Sequence, residues 1–279
     1  LNGLDNWNIF ADPGDLRLGL NWYATAYPTG YLSYDEVIIR DDNEAIGMGE
    51  VFRSGFETGD FSEWDSTGGS DLSVTSAAAL NWSENGVSAL VDDTSDSWLD
   101  KNLDWLTNSL SLRFWIDPNT ITSAVSNRDV WPLRIRKGFG SYNFLQIALN
   151  YSSGQHGIGV LARNDDDTSE ISSLYTITNA PHCIELVAHN SSDAVSADGQ
   201  VSLYIDGSFK ETITGIDWYD GWNALLDLHF GEIWADSDMS GTFYLDELVL
   251  RDDGQRIGFG RLTHIDHETG DFSEYDGEQ

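Results

Sequence analysis

Lysine and cysteine are nearly missing from this chain. Among 279 residues there are three lysines, Lys101, Lys137 and Lys210, and one cysteine, Cys183. A single cysteine excludes an intrachain disulfide and any cysteine-rich metal centre. It lies in the alternating stretch HCIELVAH, where a small buried residue is expected. A chain of this size can bury a core without disulfides, so secretion stays open. Basic residues number 14 against 47 acidic ones, a net charge of −33. Such a field repels nucleic acid and anionic membranes, because phosphate contacts need Lys and Arg. No run of 18 apolar residues occurs, so no membrane insertion is expected. No long stretch carries a helical period. The six histidines show no metal-ligand spacing, and no glycine-rich phosphate loop follows a strand. The chain begins at Leu1 with neither Met nor a signal segment, and reads as a processed or excised piece of something longer.

Repetition is what the chain does contain. Residues 56–65 read FETGDFSEWD and residues 267–276 read HETGDFSEYD. Residues 34–42, YDEVIIRDD, match 245–253, LDELVLRDD, at the same displacement of 211 (267 − 56 and 245 − 34). Over residues 30–65 against 241–276, 17 of 36 positions are identical. With a one-residue slip, Gly3-Leu4-Asp5 matches Gly215-Ile216-Asp217, and Trp22 matches Trp234. A fixed long period indicates tandem domains. The expected division is 1–50 as the closing strands of one unit, 51–262 as a complete domain, and 263–279 as the opening of another. The two end pieces could not bury an apolar face alone, so they are expected to pack on the central domain or on neighbouring chains.

Strand signals dominate the central unit. SLSLRFWI (109–116), LRIRK (133–137), YNFLQIAL (142–149), HCIELVAH (182–189), QVSLYID (200–206) and GTFYLDELVL (241–250) alternate or are rich in β-branched and aromatic residues. Clusters of Gly, Asn, Asp and Ser separate them, and Pro132 is expected at the start of a strand. Many strands without helices imply an all-β, antiparallel β-sandwich.

The stretch HCIELVAHNSSDAVSADGQVSLYIDGSFKETITGID resembles the laminin-G/concanavalin A-like jelly roll, with a hairpin turning at Asp206-Gly207. The opening GFETGDFSEWD and closing GTFYLDELVLRDD are similar to bacterial jelly-roll modules that start with FE-G and end with DE. The resemblance covers roughly 51–262. It implies a concanavalin A-like jelly roll, a fold that hosts lectins, glycosidases, lyases and structural modules alike. In the modules it resembles, the opening Glu and closing Asp meet at a structural Ca²⁺. The matching positions are Glu57 and Asp246, with repeat equivalents Glu268 and Asp35. The alternative is that Glu57 caps a turn and Asp246 is an exposed strand position.

The chemistry of the remaining residues points away from catalysis. Glycosidases of this fold usually carry a Glu-x-Asp-x-x-Glu strand, which neither EIWADSD (232–238) nor LDELVL (245–250) supplies. Lyases of similar fold need an Arg, a Gln-x-His and a Tyr/Lys cluster, and Gln155-His156 is the nearest approach. The acidic surface is expected to repel acidic polysaccharides. The chain is therefore expected to be no enzyme. It reads as an extracellular or cell-surface repeat protein, the subunit of a fibre, sheath or surface layer, with itself as partner. The alternatives are a carbohydrate-binding adhesion module and an accessory domain of a polysaccharide-degrading enzyme. For the glycan reading the candidate platform residues are Trp82, Trp98, Trp218 and Trp222, each of which edge packing would also explain.

Overall fold

The computed structural model describes residues 37–39, 50–92, 95–103, 108–137, 143–222, 226–258 and 263–265. The chain divides into two units: Ile38–Thr263, and Leu1–Val37 with His264–Gln279. The second unit lies almost wholly outside the described residues, and with it Asp35, Glu268 and the expected end pieces. The first unit carries the sandwich.

In chain order the strands are β1 (Val37–Ile39), β2 (Glu50–Ser54), β3 (Ser66–Gly68), β4 (Leu72–Thr75), β5 (Gly86–Val91), β6 (Ser97–Asn102), β7 (Ser109–Asp117), β8 (Thr122–Ser123), β9 (Arg128–Lys137) and β10 (Asn143–Ser152). They continue with β11 (Gln155–Arg163), β12 (Ser169–Ile171), β13 (Tyr175–Ile177), β14 (His182–His189), β15 (Gly199–Ile205), β16 (Ser208–Ile216), β17 (Leu226–Glu232), β18 (Met239–Arg251) and β19 (Thr263–Ile265). One turn of helix, α1 (Tyr219–Trp222), precedes β17. The first sheet runs β12-β11-β10-β9-β17-β6-β3, with β13 also on β11. The second runs β16-β15-β14-β7-β18-β5-β4, with β2 and β8 also on β18. Neighbouring strands pair antiparallel throughout both sheets. The all-β antiparallel sandwich expected from the sequence is the observed one.

Period-2 alternation sets the inward faces. Val130, Leu133 and Ile135 of β9, Leu145, Ile147 and Leu149 of β10, and Leu228 and Phe230 of β17 are all buried. They meet Leu110, Leu112, Phe114 and Ile116 of β7 and their neighbours in one core. Phe56, Trp64 and Phe230 stack in parallel, with ring centres 5.8–6.4 Å apart, and Phe114 meets Phe230 edge-on. Each such side chain contributes about 1.5–3 kcal/mol through burial. The Asp206-Gly207 turn has positive φ at both residues (53° and 71°), joining β15 to β16 as a two-residue hairpin.

Pro132 does not start a strand. It lies inside β9, where the register against β10 shifts between Ile147 and Leu149. A bulge leaves no ladder bond for proline to break.

Candidate functional site

The outer face of the first sheet carries a row of polar side chains. Register places Gln146 of β10 opposite Arg134 of β9, Arg134 opposite His229 of β17, His229 opposite Asp100 of β6, and Asp100 opposite Ser66 of β3. The first four have core residues as sequence neighbours and so face outward, and Ser66 shares their side through its pairing with Asp100. Despite that, His229 is only 1 % exposed and Gln146 only 3 %. Trp98 contributes to this shelter. Its indole lies over Gly68, where an added Cβ would stand 2.3 Å from Cζ2. It runs parallel to the imidazole of His229, with 5.2 Å between ring centres.

Hydrogen bonding fixes what this row offers. Arg134 Nη2 lies 3.2 Å from His229 Nδ1. Arginine only donates, so Nδ1 accepts and the imidazole proton sits on Nε2. Burial, then the charges of Arg136 and Arg134, push the pKa of His229 down to about 3, so the ring is neutral at pH 7. Arg134 Nε, Gln146 Nε2 and His229 Nε2 are all buried without a partner among the described residues. All three are N–H donors. Each unmet donor costs about 1–3 kcal/mol, a penalty that sheltered polar groups carry when they serve a ligand. Beside the row, Arg136 grips Asp227 through two bonds of 2.8 and 2.7 Å.

Asp100, Asp227 and His229 also offer ligand atoms within 4.8 Å of one another, the spacing of a metal site. The surroundings oppose a cation there. Asp227 is held by Arg136, and His229 Nδ1 faces Arg134, which leaves a protonated nitrogen to the would-be ion. Arg136 is taken up by Asp227, which leaves Arg134, with Asp96 as an acidic neighbour, as the guanidinium of the row.

The residues expected to bind calcium meet a common loop. Glu57 is exposed and accepts from the backbone N–H groups of Glu84 (3.0 Å) and Asn85 (3.5 Å). Asp246 is not an exposed strand position. It is fully buried at a bulge between β18 and β7, accepting from the N–H groups of Leu80 and Glu247 (2.7 Å each) and from the Ser83 hydroxyl. Burial raises its pKa to about 8 against the opposing hydrogen bonds from Ser83 and Leu80, and the charge of Glu247 raises it further. Glu247 folds back on the opening turn, where a Cβ at Gly55 would stand 2.9 Å from its Oε1. Left-handed backbone gathers here at Phe56, Asn81, Trp82 and Glu247 (φ 61°, 51°, 73° and 49°).

The expected tryptophan platform does not assemble. Trp218 and Trp222 are core residues, packed against Phe144 at 4.6 and 5.5 Å, so no sugar can reach their faces. Their short, polar, Gly-containing segment reads as a loop, but α1 tucks both rings inside. Trp82 is 83 % exposed and belongs to the Asp246 corner. Of the four, only Trp98 borders the polar row. His156 of the expected Gln155-His156 pair is buried, with Nε2 2.9 Å from the Ile121 carbonyl oxygen. Sequence reasoning missed Arg134, Gln146 and His229. Alternation within LRIRK and YNFLQIAL put the first two on outward positions, but LDLHFGE was not recognised as a strand.

No protein-family model matches this chain, and no curated protein matches it. Solved structures do. An endo-β-1,4-glucuronan lyase from the fungus Trichoderma reesei is 10 % identical, with TM-score 0.50, covering 72 % of this chain and 95 % of that one. The alginate lyase vAL-1 from Chlorella virus is 13 % identical, with TM-score 0.50, covering 67 % and 92 %. The T. cruzi calreticulin globular domain is 13 % identical, with TM-score 0.49, covering 73 % and 88 %. These likenesses correct the expectation that the chain is no enzyme: polysaccharide lyases are built on this sandwich. Linear spacing does not show the row, because its Arg, Gln and His come from three separate strands. The expectation of a non-catalytic fibre subunit finds no support. At the level of the fold, the chain is a jelly-roll β-sandwich similar to those of polysaccharide lyases.

Proposed function

We propose that the outer face of the first sheet binds an acidic polysaccharide, with a sugar carboxylate seated on Arg134, Gln146 and His229, and that the protein acts on it as a lyase. One observation carries the reading: three sheltered N–H donors in a single cross-strand row, without partners among the described residues. An anionic or acceptor-rich ligand that displaced the sheltering Trp98 would satisfy all three. Arg134 supplies charge, and Gln146 and neutral His229 supply direction. Such donors stabilise the negative charge that builds on a carboxylate when the adjacent carbon loses its proton, the difficult step of an elimination. Glucuronan and alginate, named for the two lyases above, are the substrates to try first. An extracellular or cell-surface setting, where such polymers are met, belongs to the same proposal. Incubation with each polymer should generate unsaturated chain ends, detected by ultraviolet absorbance, and Arg134→Ala should abolish them. No product from either polymer, together with no binding of either, would refute the reading.

The Asp246 corner is a separate matter of stability. We propose that Ca²⁺ binds there through Glu57 and Asp246. A buried carboxyl whose main electrostatic neighbour is another acid fits a hard cation. So does the left-handed backbone at Asn81 and Trp82, a cost of about 1–3 kcal/mol per residue that a bound ion would offset. The ion would tie the opening turn to the closing strand.

A further inference from the structure

We infer that Trp131 and Trp234 form a stacking platform for a second sugar of the chain whose carboxylate lies on Arg134; this rests on the binding reading above. Neither indole is a glycan candidate from sequence alone. Trp131 lies in β9 between the core residues Val130 and Leu133, at the Pro132 bulge. Trp234 follows β17 between Ile233 and Ala235, both buried. With Val130, Leu133 and Ala235 in the core, both indoles stand on the outer face, the side of Arg134 and His229. Their centres are 4.5 Å apart at a tilt of 33°. The backbone locks the pair: Trp131 N–H donates to the Trp234 carbonyl at 2.8 Å, and Ile233 N–H to the Trp131 carbonyl at 3.1 Å. Trp234 nonetheless remains 36 % exposed, high for so large an apolar side chain.

The ground beside the pair is bare. Ala148 of β10 lies across from the bulge, and Gly159 of β11 is its partner in register. Gly157 is the next outward position, and Leu174 folds over it: a Cβ there would stand 2.9 Å from Leu174 Cγ. The outer face thus offers an aromatic wall, a floor with no side chain larger than that of Ala148, and a rim where Leu174 and Ser172 lean over the glycines. The faces of a sugar ring carry C–H groups that suit an indole, and its rim hydroxyls stay in water. Three residues of strand separate Trp131 from Arg134, about 10 Å at strand rise. That distance suits a neighbouring residue of an oligosaccharide, not the ring whose carboxylate is bound. Rigid tryptophans held by backbone bonds lose little entropy on stacking.

The test is a ladder of oligouronates of graded length, titrated against wild type, Trp234→Ala, Trp234→Phe and Arg134→Ala with binding read by calorimetry. Wild-type affinity should rise with length. Trp234→Ala should leave the shortest oligomers unchanged and cost about tenfold on longer ones, with Trp234→Phe recovering most of it. Trp234 is exposed, so these variants should fold; their melting curves check it. Unchanged length dependence in Trp234→Ala, with binding still lost in Arg134→Ala, overturns the platform alone. Binding untouched by Arg134→Ala overturns the row, and the platform with it.

Discussion

At the Asp246 corner, burial lifts a carboxyl pKa to about 8; in the Arg134 row, burial drops an imidazole to about 3. Desolvation is the largest cause in both and disfavours the charged form in both. What differs is the neighbourhood. Asp246 takes hydrogen bonds from two backbone N–H groups and a hydroxyl, and sits beside the acid Glu247. His229 lies between Arg134 and Asp100, with Arg136 nearby, and presents a donor without a partner among the described residues. On the readings proposed above, one region would take a cation and the other an anion, within a single chain of net charge −33. Net charge therefore describes the far field of this protein and not its sites.

The largest expected effect comes from removing the guanidinium of the row. Arg134→Ala should weaken acidic oligosaccharide binding by at least about 30-fold, the scale of a buried charge pair losing one member. Arg134→Lys should recover only part, because an ammonium lacks the planar fork. Melting temperature should change little, which separates the row from the corner.

The corner should show the reverse. Asp246→Ala strips the acceptor from Leu80, Glu247 and Ser83 and should cost about 2–4 kcal/mol in denaturant unfolding, with glycan binding retained. Calcium at a hundredfold excess over its dissociation constant should add about 2.7 kcal/mol to wild type and nothing to Asp246→Ala. A calcium response that survives the substitution would place the ion elsewhere.

Acid and alkali should distinguish the regions a third way. The His229 pKa falls on folding, so its contribution is fully present above about 6.5 and is lost as pH falls towards 3, by up to about 1.4 kcal/mol per pH unit. His229→Gln should flatten that acid limb. The Asp246 pKa rises on folding, so its contribution is present below about 4 and is lost as pH rises through 8. In chelator, Asp246→Asn should flatten the alkaline limb. Exchanged effects would mean that the two environments are wrongly assigned. The smallest effect is expected from Trp82→Ala: within about 0.5 kcal/mol in stability, and no change in glycan binding. Reduced binding would move the sugar site to the corner.

Local chemistry was legible in the sequence, and register was not. Asp206-Gly207 announces its hairpin because a two-residue turn depends on those residues alone. Glu57 and Asp246 stand out through the resemblance to modules that open with FE-G and close with DE, and both reach the loop 80–85. The row needed three facts from beyond its own segments: that β17 exists, that β9 lies between β10 and β17, and that the bulge at Pro132 keeps Gln146 and His229 opposite Arg134. A single slip in register would send Gln146 to the core and Ile147 to the surface. Trp218 and Trp222 misled for the same reason, since their burial comes from α1 packing against Phe144 of a strand far back in the chain.

Calorimetric titration with an oligouronate and with the same oligomer after reduction of its carboxyl groups is the most direct measurement. The donor row predicts that the acidic form binds, that its affinity falls with salt, and that the reduced form binds far more weakly. Equal affinity for the two forms would contradict it.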